Sequence, residues 1–340
     1  VADLQEGESM SFVIKQEKIM NNEKRNHHFI AQVEQVFHAR SAEVKAKKIN
    51  RFEVTSKEKL KFKKTSKKGT AIANNLSFED LYCFDFLSRE EQYNFEDTFG
   101  RYESVYIDLI QKVIYLDEDP DNSYLDLFTY KWMNIIRNPF LIKNTLYIFG
   151  SALKYVPKDP ELLAVYNRLE KGNKPQEQRV CEYFGISKFE YTSWLKLLFL
   201  ILFVGDEGSN FLESFTRGMF YEKDSSLNIF LFSLSEKNTV FSDVGFSFLN
   251  QDAHLCYEFP LTDSHYIVYS FTNLGAFTAI LEKEKGVSLS HIPALFKSKP
   301  KEIKVNKVTD DLERLKSFNV RMVEQSNQYV FSKATKPFVL

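Results

Sequence analysis

Apolar residues recur with helical spacing through the middle of this chain and with alternating spacing towards its two ends. Phe95, Phe99, Tyr102, Tyr106, Ile110 and Val113 fall every three or four positions, which predicts a helix over 89–116. A second helical region, 124–155, contains Pro139, which lacks a backbone donor and predicts a break near Asn138. Asp159-Pro160-Glu161 has the form of an N-cap followed by proline in the first turn. Ser187-Lys188-Phe189-Glu190 has the form of a capping box that opens an apolar helix running to Val204. Near the start, Phe29, Ile30, Val33, Val36 and Phe37 predict a short amphipathic helix after His28, with Gln32 and Gln35 beside its apolar face. Over 49–64 the pattern alternates (Phe52, Val54, then Leu60, Phe62) around Ser56-Lys57-Glu58, as in a two-stranded ribbon. Beyond Asn228 short β-like runs follow at 229–234, 239–241, 246–249 and 266–271. A helix over 273–285, a polar Lys-rich loop over 297–304, a helix over 309–325 and a strand over 328–331 complete the reading.

These elements predict an α+β fold: a central helical body with an N-terminal basic β-ribbon and a C-terminal β-rich portion. The expected organisation is an N-terminal extension, 1–23, and one compact domain, 24–340, made of 24–75, 76–223 and 224–340. The composition fits. With 32 Phe and 17 Tyr against 12 Gly and 9 Pro, the chain favours long elements and an aromatic core over turns. The longest apolar run, 197–204, is far shorter than the roughly 20 residues a membrane-spanning helix needs. Residues 1–20 carry Glu6, Glu8 and Glu17 and lack the apolar core of a secretory signal. Cys83, Cys181 and Cys256 are too widely spaced for a metal knuckle or a disulfide framework. A cytoplasmic protein with no membrane partner is the expectation.

Charge changes the picture, because near-neutrality overall conceals a local asymmetry. Residues 41–70 hold eleven basic side chains against three acids, a net of +8, and residues 77–127 hold fourteen acids against three basic residues, a net of −11. Lys45, Lys47, Lys48, Arg51, Lys61, Lys63, Lys64, Lys67 and Lys68 are therefore candidates to hold nucleic-acid phosphates, with Phe52 and Phe62 as stacking rings. Lysines of this kind also block edge-to-edge strand pairing. The ribbon could equally dock on the acidic region of its own or a neighbouring chain.

No Gly-rich phosphate loop, nucleophile elbow or His-x-x-x-His pair occurs. Adjacent imidazoles at His27 and His28 are the most unusual local feature. The run Asn26-His27-His28-Phe29-Ile30-Ala31-Gln32 resembles the opening motif (His, aromatic, aliphatic, Pro, Gln) of the bacterial family known as domain of unknown function 4238, with Ala31 in place of Pro. Phe95-Glu96 through Tyr102-Glu103-Ser104 resembles its helix with repeated glutamates. Val240-Phe241-Ser242-Asp243 resembles its Thr-Ser-Asp-x-Pro segment, without the Pro. Glu258-Phe259-Pro260-Leu261-Thr262 and Tyr329-Val330-Phe331-Ser332 resemble its Phe-Pro-Leu-Ser run and closing aromatic strand. The order holds over residues 24–332, with two lost prolines marking a divergent member. The resemblance implies stand-alone bacterial and phage-borne proteins, some serving in conflict between cells and mobile elements.

A His, a Gln and carboxylates drawn from distant segments would suit a divalent metal site or an acid/base pair for hydrolysis. His28, Gln32, Glu103 and Asp243 are the candidate catalytic residues. Glu103 and Asp243 are the candidate ligands for Mg²⁺ or Mn²⁺. The resulting expectation is a bacterial effector-type protein, in anti-phage defence or a toxin-like role, that cleaves nucleic acid by metal-assisted phosphodiester hydrolysis. The alternatives are a non-catalytic subunit that binds a protein partner or its own copies, and a structural hydrogen bond between His28 and Asp243.

Overall fold

The computed structural model describes residues 25–40, 47–86, 92–116, 120–206, 208–285 and 303–339. In chain order the main elements are β1 (Asn26–His28), α1 (Gln32–Val36), β2 (Lys48–Ser56), β3 (Lys61–Lys64), α2 (Glu96–Ser104), α3 (Tyr106–Gln111), α4 (Pro120–Arg137) and α5 (Ile142–Phe149). Next come α6 (Pro160–Lys171), α7 (Glu177–Phe184), α8 (Lys188–Phe203), α9 (Phe211–Tyr221), β4 (Ser225–Ser233), β5 (Phe241–Ser242), β6 (Ser247–Gln251), β7 (His254–Thr262) and β8 (His265–Asn273). The chain closes with α10 (Leu274–Lys285), β9 (Lys304–Thr309), α11 (Leu312–Gln325) and β10 (Tyr329–Ser332). This is an α+β fold.

The residues group into two compact units, one drawn from Val1–His27, Glu79–Tyr102 and Leu141–Arg217, the other from His28–Phe78, Glu103–Phe140 and Gly218–Leu340. They interleave along the chain. The N-terminal extension, Lys45 and most of the Lys-rich loop lie outside the described residues.

The first unit is helical. Trp194, Leu195 and 197–202 of α8 are all buried, as befits a helix apolar on every side that packs against α5, α6 and α7. Both predicted caps form. Ser187 Oγ accepts from Glu190 N at 3.1 Å while Glu190 Oε2 accepts from Ser187 N at 2.7 Å, and Asp159 accepts from Glu161 N and Leu162 N at 3.0 Å.

The second unit is built on two sheets. One has the order β6-β7-β8-β4-β9, antiparallel except for the β4–β9 pair. Strand periodicity gives it two apolar faces. Leu227, Ile229 and Leu231 share a face with Ile267, Tyr269 and Phe271, against which Phe128 of α4 packs. Phe232 and Tyr266 lie on the opposite face, towards Leu315, Phe318 and Met322 of α11. The other sheet, β5-β10-β2-β3, closes the same core with Phe52 and Val330, so α11 lies between the two sheets.

Several expectations change in detail. The helix predicted over 89–116 is two helices, α2 and α3, followed by a π-helical turn at Lys112–Leu116. The break in the next helical region falls at Asn138, whose Oδ1 accepts from Phe140 N at 3.0 Å. Strand β7 lies outside the β-like runs predicted from sequence, and it contains Pro260, a residue that disfavours a central strand. Its pairing with β6 ends at Glu258, so the missing N–H of Pro260 leaves no gap in the ladder.

Candidate functional site

The predicted site residues lie in the second unit, where helix α4 organises them. Lys131, Asn134 and Arg137 of α4, with Asn138 just beyond its end, fall at helical spacing along one buried stripe. Lys131, 2 % exposed, donates to Glu34 Oε2 at 2.5 Å, the Tyr106 hydroxyl at 3.2 Å and the Pro260 carbonyl at 3.1 Å. All three ammonium protons are therefore engaged. Asn134 Nδ2 donates to the other Glu34 oxygen. Burial pushes the Lys131 pKa down, and the Glu34 carboxylate opposes that shift.

Helix α1 thus departs from the sequence reading. Glu34 and Gln35 are its buried residues, whereas Val33, Val36 and Phe37 are only half-buried. Partners on neighbouring segments make this possible: Gln35 Nε2 donates to the Ile30 and Asn75 carbonyls at 2.9 and 3.1 Å, and Asn75 Nδ2 donates back to Gln35 Oε1 at 2.9 Å.

His28, Gln32 and Glu103 are brought into one neighbourhood. Gln32 Nε2 is 3.4 Å from His28 Nδ1. Glu103 Oε1 accepts from Arg137 Nη1 at 2.7 Å, with the Arg137 side chain wholly buried. Burial and then the Arg137 charge lower the His28 pKa; Glu103 and the backbone at Ile72 and Ala73 oppose the shift. Burial and the Arg137 charge thus favour the neutral imidazole of His28. His27 belongs to the first unit, where its Nδ1 accepts from Tyr82 N at 2.9 Å and its ring stacks on Tyr82.

Asp243 does not join this group. Its Oδ1 accepts from Asn327 N at 2.7 Å, and its Oδ2 accepts from Gln328 N and Tyr329 N at 2.6 and 2.7 Å. Burial raises its pKa to about 6 against the pull of those three amides. The carboxylate pins the α11–β10 connection in place of the open ligand, or the partner of His28, considered from sequence. With Glu103 paired to Arg137 and Asp243 saturated by amides, the residues present do not fit a shared divalent ion. Among the described residues no group of three His, Cys, Asp or Glu side chains is arranged to hold one.

The segments carrying the sequence motifs nevertheless converge. Ile30, Glu34, Val244, Gly245 and Phe259 meet Lys131 around a cavity of about 10 Å³, room for one water and no substrate. Gly245 has φ +87°, and a Cβ there would lie 3.2 Å from Ile30 Cδ1, so the close approach requires glycine.

The basic residues divide by strand face. Arg51, Lys61 and Lys63 share one face of β2–β3 with Tyr329 of β10; it is covered at Phe331, opposite the half-buried Arg51, and open outwards at Lys61 and Lys63, and the Arg51 guanidinium sits 4.7 Å over the Tyr329 ring. Lys61 and Lys63 are exposed, as are Lys47, Lys67 and Lys68 beyond the strands, and Lys48 is half-buried. Lys64 lies on the other face, 5.7 Å over the ring of Phe52. Phe52 and Phe62 also turn inwards against the α11 core, so neither presents the stacking ring expected of it. Period-2 alternation alone could have separated Lys64 from Lys61 and Lys63, but only pairing with β10 reveals Tyr329.

No family model, curated protein or solved structure matches the chain. No helix among the described residues is long and apolar enough to cross a membrane.

Proposed function

We propose that this protein binds single-stranded nucleic acid on the outward face of the β10-β2-β3 sheet. The observation that carries the reading is the cluster of Arg51, Lys61 and Lys63 beside the Tyr329 ring, with none of these cations in an ion pair among the described residues. Cations at strand spacing meet successive phosphates, and the Arg51 guanidinium held over the Tyr329 ring offers a base a planar cationic surface regardless of sequence. Glu53, on the same face, disfavours tight packing of phosphate at the centre and leaves the strand edge at β3 as the main track. A cytoplasmic role in a bacterium, and divergent membership of the resembled family, are parts of the same proposal. Convergence of three motif-bearing segments around Lys131 supports the latter.

Fluorescence anisotropy with labelled single-stranded RNA and DNA tests the reading. Binding that weakens steeply with salt supports it. Absence of binding, with a light-scattering mass of two or more chains, would favour the assembly reading.

Phosphodiester hydrolysis is the second reading, favoured by the neutral His28 imidazole beside the Glu103–Arg137 pair, a group able to accept a proton. The donor set does not fit a metal-assisted mechanism. Incubation of the protein and its His28→Asn variant with RNA and plasmid, with Mg²⁺, Mn²⁺ or EDTA, separates the two. Cleavage lost in the variant would establish hydrolysis at His28.

A further inference from the structure

A cavity of about 300 Å³ lies in the second unit, and none of the candidate catalytic or nucleic-acid-binding residues lines it. It opens between α11 and the sheet face bearing Phe230, Phe232 and Val268, with Val308 of β9 at its side. Its size is at the lower end for small-molecule sites, and its walls are mainly apolar.

Three polar features distinguish it from a packing defect. Tyr266 is 1 % exposed, and its hydroxyl has no hydrogen-bond partner among the described residues. The ring is clamped between Phe232 and Phe318, stacked at 4.3 Å on each side, so the hydroxyl is held in place without a partner of its own. Glu258 is already satisfied: Arg321 donates to it through Nε at 2.7 Å and Nη2 at 2.5 Å, and Ser247 Oγ donates at 2.7 Å. Arg314, one helical face with Arg321 at i+7, lines the cavity with no ion pair among the described residues. Asp311 also lines the cavity, but its Oδ1 accepts from Arg314 N at 3.0 Å as the N-cap of α11, and Ser270 Oγ accepts from Cys256 Sγ at 3.4 Å, so the donors left to engage a ligand include the Tyr266 hydroxyl and the Arg314 guanidinium, beside a mainly apolar wall.

We propose that this cavity binds a small carboxylate carrying an apolar body of about ten heavy atoms, a size set by the volume per water-sized group. The carboxylate accepts from Arg314 and Tyr266, and the body lies along Phe230, Val268 and Val308. A carboxylate can accept from both groups through its two oxygens and carries the charge that Arg314 attracts, whereas an amide of the same shape offers one acceptor oxygen and no charge.

Isothermal titration of the full chain with 4-phenylbutyrate and with its uncharged amide tests the proposal. The acid should bind at least about tenfold more tightly than the amide. Tyr266→Phe, which keeps the aromatic stack, should weaken the acid about fivefold without lowering the melting temperature, because the hydroxyl has no partner to lose. Arg314→Gln should remove the preference for the acid. Equal binding of acid and amide, no heat of binding to folded protein, or a Tyr266→Phe variant that melts earlier and binds as before would each overturn it.

Discussion

Replacing Lys131 by Met removes the cation at the centre of the buried polar stripe while keeping the length and most of the volume of the side chain. The Glu34 carboxylate, 3 % exposed, would retain Asn134 as partner and lose its only counter-ion among the described residues. Breaking a buried pair from one side costs about 3–5 kcal/mol, because the remaining charge stays desolvated. Two further acceptors, the Tyr106 hydroxyl and the Pro260 carbonyl, also lose a donor. The Glu34→Gln/Lys131→Met double variant carries no buried charge and should recover most of the loss, giving a coupling of about 2–3 kcal/mol. The two tryptophans fall one in each unit, Trp132 in the second and Trp194 in the first. Urea unfolding followed by fluorescence in a Trp194→Phe background therefore reports the affected unit. A single-variant cost below about 1 kcal/mol, or additive effects in the double variant, would refute a closed Lys131–Glu34 pair.

Other expected outcomes follow from the same geometry. His38 is buried and stacked on Phe241, with its pKa lowered to about 3 by burial and then by Lys131. The unfolded chain takes up a proton there below pH 6.5 and the folded one does not, so its contribution is complete above pH 6.5 and falls as pH drops towards 3. About 2 kcal/mol should be lost between pH 6.5 and 5, and His38→Phe should flatten that part of a stability–pH curve. Asp243→Asn places an amide N–H₂ against backbone donors and should cost about 2–4 kcal/mol in urea unfolding; a loss under about 0.5 kcal/mol would show the amides are not held by the carboxylate. Gly245→Ala, with φ +87° and Ile30 alongside, should lower stability by about 1–2 kcal/mol, measured as a shift in melting temperature.

How much the sequence revealed depended on whether one segment sufficed. Ser187 with Glu190, Asp159 with Pro160, and Pro139 act within a single turn, and each forms or breaks a helix where expected. Periodicity misled where a distant partner rewrote the cost of burial. Glu34 and Gln35 turn inwards because Lys131 and Asn75, 97 and 40 residues away, satisfy them. The same holds for the site: His28 and Glu103 are candidates on their motifs, but Arg137, which pairs with Glu103 and acts on His28, belongs to no motif. Asp243 is a candidate metal ligand on its motif, yet its three amide donors, at 327–329, lie 84 to 86 residues on, which no local pattern encodes. Strand β9 lies beside a Lys-rich stretch and pairs in parallel with β4, a non-local arrangement invisible to alternation.

The most direct test of the proposed function is the salt dependence of single-stranded RNA affinity, compared between the native chain and the Arg51→Gln/Lys61→Gln/Lys63→Gln variant. Each neutralised phosphate contributes about 0.7 to the slope of log affinity against log salt, so losing three contacts should flatten it by about 2 and weaken binding at low salt. An unchanged slope in a folded variant, or no measurable affinity of the native chain at low salt, would contradict the assignment of this face to nucleic acid.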